Sequence, residues 1–259
     1  MKPVFLFLAL MGVFTPCFPS VPNVNDIKSQ SLGGLRALSE RSLNPTIWSF
    51  QEKKRLGMSV QNHFQIKELN SFSGYAIFPN SWLDAGGCVS EFGYEDYHQW
   101  EVSAGFSKKL HSQIALGTNL RYRQVTGIYG EGIRPYLGLD LALSYKMNDH
   151  LHWGLLFEGV AHNSPGADRM LSLGIDYSLL ASCHLFMEYG SNFEDVSRLS
   201  IGIDYELMEH FFVRAGCYTQ DFAPTFGVSF ALSQFVIDVA CDRHAYLGYS
   251  TGLGISYQF

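Results

Sequence analysis

Charge is scarce in this chain. Of 259 residues only 16% are charged, 18 basic against 24 acidic for a formal net charge of -6, where an average soluble domain carries about 25%. No Lys/Arg-rich run or basic stripe occurs, so nucleic acid is excluded as a partner. Long hydrophobic runs are missing as well. Beyond the first twenty residues nothing approaches the roughly 18 consecutive apolar residues of a membrane helix. The five cysteines stand at wide, irregular intervals without the C-x-x-C pairs of a zinc site, and they do not form a disulfide framework. Catalytic patterns are also lacking. His152, His162, His184, His210 and His244 are scattered, with no nucleophile elbow and no H-E-x-x-H. His162-Asn-Ser-Pro165 is a turn sequence, and no helix start follows Gly86-Gly87 to make a phosphate cradle. The chain is therefore not expected to be an enzyme or to hold a metal or cofactor.

What remains is apolar and aromatic: 47% hydrophobic residues, with 20 Phe and 14 Tyr, yet a mean hydropathy of only +0.02. Such a balance arises when every second residue is polar, as in a transmembrane β-barrel. The amino terminus differs from the rest. Lys2 precedes an apolar run from Val4 to Phe14 and then Thr15-Pro16, which reads as a signal peptide over 1–20, cut after Cys17 or Ser20. Cys88, Cys183, Cys217 and Cys241 then remain, expected as free thiols that are buried or face lipid.

From Arg55 to Phe259 one unit recurs, about ten residues of apolar–polar alternation followed by a turn. In the last unit Leu253, Ile255, Tyr257 and Phe259 share one face, and Gly252, Gly254, Ser256 and Gln258 the other. Period two is a strand. Leu171-Ser-Leu-Gly-Ile-Asp-Tyr returns 28 residues later as Leu199-Ser-Ile-Gly-Ile-Asp-Tyr, a step of one hairpin. The pattern predicts about fourteen strands, near 55–65, 69–78, 81–91, 98–108, 113–124, 134–147, 151–160, 169–179, 182–191, 197–207, 211–219, 225–232, 234–243 and 250–259. Tight connections (79–80, 109–112, 148–150, 180–181, 208–210 and 233) alternate with longer ones (92–97, 125–133, 161–168, 192–196, 220–224 and 244–249). Only 66–68 breaks the order. Such alternation suits an up-and-down barrel with both termini at the periplasmic rim. Phasing alone does not say which face meets water, but size does. Side chains alone fill a barrel only up to about eight strands, so with fourteen the charged face points inward. Tyr122, Tyr145, Tyr177, Tyr189, Tyr205 and Tyr257 would then form an interfacial belt.

The inward row by this phasing carries the acids Glu101, Asp140, Glu158, Asp176, Glu188, Asp204, Glu206, Asp238 and Asp242 against Arg121, Arg123, Lys146 and Arg214. With Asn119 they are the candidate lumen lining, either a selectivity surface or a salt-bridged wall. Phe186 and Phe212 also fall inward, as an apolar patch. Residues 21–54 are too polar to span a membrane and too short to form a domain. They are expected as a periplasmic hatch inside the barrel of 55–259, with Arg36, Glu40 and Arg41 pairing to its wall.

Certain motifs carry a resemblance. Ser31-Leu-Gly-Gly-Leu-Arg-Ala37, Asn44-Pro45 before Arg55-Leu-Gly-Met-Ser-Val-Gln-Asn62, and the closing Phe211-Phe-Val-Arg-Ala-Gly216, Phe226-Gly-Val-Ser-Phe230, Ile237-Asp-Val-Ala240 and Gly254-Ile-Ser-Tyr-Gln-Phe259 resemble the FadL-like barrels of the PorV/PorQ group. The resemblance implies an all-β, fourteen-stranded outer-membrane barrel with a luminal hatch, in a Gram-negative, Bacteroidetes-like bacterium. Its partners would be outer-membrane lipid and secretion-system proteins of type IX export. The alternative is a gated passive channel for small hydrophobic solutes.

Overall fold

The computed structural model describes residues 26–39, 44–94, 97–127, 134–163, 169–193, 197–219 and 222–259. The expected signal peptide and the expected hatch residues Glu40 and Arg41 lie outside them. A short helix α1 (Ile27–Ser31) and a 3-10 turn (Pro45–Phe50) precede fourteen strands. These are β1 (Arg55–Asn62), β2 (Asn70–Phe78), β3 (Asp84–Tyr94), β4 (Tyr97–His111), β5 (Ile114–Gly127), β6 (Arg134–Lys146), β7 (Leu151–His162), β8 (Met170–Leu180), β9 (Cys183–Ser191), β10 (Ser197–Met208), β11 (Phe211–Tyr218), β12 (Ala223–Leu232), β13 (Phe235–His244) and β14 (Gly248–Gln258). Each strand pairs antiparallel with its neighbours in sequence. The sheet closes where β1 meets β14, from Arg55↔Gln258 to Asn62↔Thr251. Closure removes both sheet edges, which is what lets a β-sheet stand in lipid.

The face left open by phasing is settled by burial. Along β14 the polar row is covered and the apolar row bare: Ser250, Gly252, Gly254 and Ser256 are buried, while Leu253 is 50% exposed. The same inversion holds on β6, where Asp140 is 1% exposed between outward Leu137 and Leu141, and on β13, where Asp238 is 0% exposed. A water-soluble barrel would show the opposite order. The outward row is a lipid-facing wall. Tyr145, Tyr177, Tyr205 and Tyr257 lie on it near the end that carries the chain termini, and Tyr189 and Tyr249 near the other. Among the described residues no helix is long and apolar enough to cross a membrane.

The connections depart from the expected lengths because the backbone ladder runs further than hydropathy suggests. The expected loop 92–97 is largely strand. Gly93 pairs with His98 and Tyr94 with Tyr97, so only 95–96 connect β3 and β4. Conversely β1 stops at Asn62, where Phe64 and Gln65 adopt φ of 58° and 57°. The connection at 63–69 is therefore a long one and conforms to the alternation that 66–68 seemed to break. The tight turn placed at 79–80 extends to 83, since Asp84 Oδ1 accepts from Asn80 N at 2.8 Å and holds the chain in a turn. Among the cysteines, Cys88 lies on the inward row of β3 with Gly86 and Ser90, neither buried nor lipid-facing. The other three are reduced as well.

The inverted pattern makes a direct prediction. Leu253→Arg, mid-strand on the outer row, should lower unfolding stability measured in lipid bilayers by about 2–4 kcal/mol. A change below about 0.5 kcal/mol would mean that this face does not meet hydrocarbon.

Candidate functional site: the barrel interior

Residues 26–39 and 44–50 lie inside the wall and are almost wholly buried. The segment is locally well specified. Asp26 caps α1, accepting from Ser29 N at 2.8 Å, and its other oxygen takes the hydroxyls of Ser29 and Ser39, both at 2.8 Å. One carboxylate thus ties the start of the helix to the turn thirteen residues on. Asn44 caps the 3-10 turn through Thr46 N at 3.0 Å, with Pro45 at its first position. Its amide donates to Ala37 O at 2.6 Å and joins the two halves.

Space for this segment comes from small inward residues. A Cβ on Gly86 or Gly105 would stand 2.7 Å from the Trp48 ring. One on Gly154 would meet Ala37 O at 2.5 Å, on Gly202 Leu32 O at 2.7 Å, and on Gly252 Ile27 Cδ1 at 2.5 Å. Paired ladder positions (Gly86↔Gly105, Gly154↔Gly174, Gly202↔Gly216) carry this ring around the wall. Leu32, Leu35 and Leu38 bury together with Phe186 against it.

Charges complete the seat. Arg36 grips Glu158 with two parallel bonds, Nε to Oε2 at 2.7 Å and Nη2 to Oε1 at 2.6 Å. Glu158 also faces Arg121 at 3.4 Å, and Arg121 reaches Asp140 at 2.7 Å. Asn119 donates to Asp140 at 3.3 Å. Glu188 receives the backbone N–H groups of Arg36 and Ala37 at 2.8 and 2.9 Å. Burial alone would lower the Arg36 pKa, but attraction and hydrogen bonding to Glu158 outweigh it. The guanidinium is held above its ordinary value and stays charged. Opposite Asp140 the β6–β7 ladder shifts register, and Gly159 (φ 65°) gives its N–H to Asp140 Oδ1 at 2.9 Å. A side chain stands in there for a missing ladder partner.

The candidate lining thus falls into groups. Arg36, Asn119, Arg121, Asp140, Glu158 and Glu188 form one cluster. Arg214 joins Asp204 (3.1 Å) and Asp238 (3.0 Å) in a second. Glu101 and Arg123 pair at 2.7 Å apart from both. Asp176 meets His184 at 3.1 Å near the turns, and Lys146 lies at the rim beside Asp149 at 3.2 Å. Sequence reasoning missed Arg198, whose guanidinium donates to the carbonyls of Gly33 and, at 2.7 Å, Gly34. It is in phase with Ser200 and Asp204, which was the available signal. It also missed Thr225, which donates to Ser31 O at 2.9 Å and accepts from Gly33 N at 3.0 Å. Ser49, on Asp84 at 2.5 Å, was missed too. Among the described residues no group of three His, Cys, Asp or Glu could hold a metal ion.

No family model matches this chain, and no curated protein matches it in sequence. Solved structures do match. A deltaS2S3 mutant of the TodX monoaromatic hydrocarbon channel superposes with a TM-score of 0.68 at 13% identity, over 90% of this chain and 98% of that one. A Pseudomonas aeruginosa FadL homologue gives 0.64 at 12%, over 92% and 97%. The toluene transporter TodX of P. putida gives 0.65 at 13%, over 89% and 97%. The fold is that of the FadL-type outer-membrane barrels. The FadL-type reading of the architecture holds, while nothing in these neighbours singles out the PorV/PorQ group.

Removing the Arg36 side chain would leave Glu158 facing Arg121 alone in a dry interior. Arg36→Ala should cost about 3–5 kcal/mol of segment docking. It is expected to raise amide exchange across residues 29–38 while the strand amides keep their protection. Unchanged exchange there would show that the pair does not seat the segment.

Proposed function

We propose that the protein is an outer-membrane channel of FadL type for small apolar solutes, with the segment 21–54 as its plug and 55–259 as its wall. The observation that carries this reading is the seat itself. A wall of fourteen strands encloses more room than its own side chains fill, and the room is taken by a segment held by reversible hydrogen bonds and ion pairs in a ring of glycines. Such a seat can be vacated without breaking covalent structure. The named neighbours, which include a hydrocarbon channel and a toluene transporter, support passage of a small apolar solute over service in a type IX secretion complex. They also support the outer membrane of a Gram-negative bacterium, without favouring a Bacteroidetes source. In that setting the end with the chain termini and short turns faces the periplasm. Leu32, Leu35, Leu38 and Phe186 give the plug–wall boundary an apolar strip along which such a solute would move.

Deleting residues 26–50 should raise single-channel conductance in planar bilayers, from a nearly closed wall to a steady open pore. Proteoliposomes of the intact chain should take up toluene faster than protein-free vesicles, and benzoate no faster. A deletion variant that conducts no better than the intact chain would sink the plug. Toluene uptake at the protein-free rate would sink the transport reading.

A further inference from the structure

At the turn end of β8–β11, opposite α1, the interior holds a cavity of about 200 Å³. Its charge is unbalanced. Asp176, Asp204 and Glu206 face it, against the Lys28 ammonium from α1 and the His184 imidazole. His184 Nδ1 is engaged with Asp176 at 3.1 Å, and Arg214 Nε lies 3.1 Å from one oxygen of Asp204, an ion pair without hydrogen-bond geometry. The other Asp204 oxygen stands 3.6 Å from Lys28 Nζ, beyond hydrogen-bond length. Glu206 accepts a long bond from His210 N at 3.4 Å. The opposite wall is aromatic: Phe186, stacked with His184 at 6.2 Å and 21°, and Phe212.

This combination selects a ligand. An anion would meet three carboxylates, and a neutral hydrocarbon would strip water from them without replacing its hydrogen bonds. An ammonium satisfies them, and the chain's own Lys28 shows that one is accommodated at this edge. Asp204 and Glu206, two apart on β10, present both carboxylates on the same face. The aromatic wall favours a ring or a cation over its face. A cavity of about 150 Å³ takes benzene, so this volume fits one ring carrying a short ammonium arm.

We propose that the cavity binds a small organic cation, an ammonium joined to a single ring. The nitrogen sits between Asp204 and Glu206, the ring lies against Phe186 and Phe212, and Lys28 is displaced from Asp204. The site is independent of whether the barrel conducts solutes.

The test is calorimetric titration of the full chain in detergent at neutral pH with benzylammonium. Benzyl alcohol serves as its uncharged counterpart and propylammonium as the ringless one. Benzylammonium should bind saturably with one site, and both controls at least about tenfold more weakly. Glu206→Gln should weaken benzylammonium about tenfold, whereas Lys28→Met, which removes the internal competitor, should tighten it several-fold. Undetectable binding, equal binding of benzyl alcohol, or an unchanged affinity in Glu206→Gln overturns the site. An unchanged or weaker affinity in Lys28→Met overturns the displacement. Failure of toluene uptake would leave all of these titrations as expected, so the two readings fail separately.

Discussion

Everything inside this barrel depends on how its inward charges are satisfied once water has been squeezed out. A carboxylate such as Glu158 in a closed interior costs several kcal/mol in lost hydration unless a cation and further donors replace it. Arg36 supplies two parallel hydrogen bonds, and Arg121 stands on the other side. Neither wall nor segment is electrostatically complete without the other. Asp140 shows the same constraint within the wall, where one carboxylate balances Arg121 and also caps the N–H that the β7 bulge withdraws from the ladder. The distortion of the sheet and the docking of the segment therefore meet in a single network.

The glycine ring answers a second constraint, that of volume. A Cβ at the inward glycines would collide with the segment as it is seated. Removing Cβ atoms along the paired positions of β3–β4, β7–β8 and β10–β11 lets the backbone of residues 31–38 and the Trp48 ring approach the wall directly. Close approach then brings the polar groups of the segment within reach of Thr225, Glu188 and Arg198. Packing and hydrogen bonding are thus two consequences of the same small residues.

How much of this was legible follows from what each signal reports. Alternation along Leu253-Gly-Ile-Ser-Tyr-Gln registers two faces, so strand number, closure and the inward placement of Asp140, Glu158 and Arg214 could be read from it. Alternation does not report where a ladder stops. Gly93 and Tyr94 look like loop residues yet pair with His98 and Tyr97, and Asn62 ends β1 although hydropathy continues past it. Nor does it say which inward charges meet. Arg36 is joined to Glu158 across 122 positions of sequence by the curvature of the closed sheet. The inward glycines were visible as positions that relieve crowding. That they make room for one particular segment is a property of two surfaces at once, which no single strand displays.

Seat strength is graded along the segment. At Arg36 the contact is bidentate and dry, while Lys28 stands 3.6 Å from Asp204 beside an open cavity. An ion pair at that distance with solvent nearby contributes little, whereas the Arg36 pair loses most if broken singly. The helix α1 is nonetheless seated by other groups, with Gln30 donating to Asp242 and the Ser31 carbonyl accepting from Thr225. On the proposed channel reading, release of the segment would be governed by the Arg36–Glu158 pair and the two backbone bonds to Glu188.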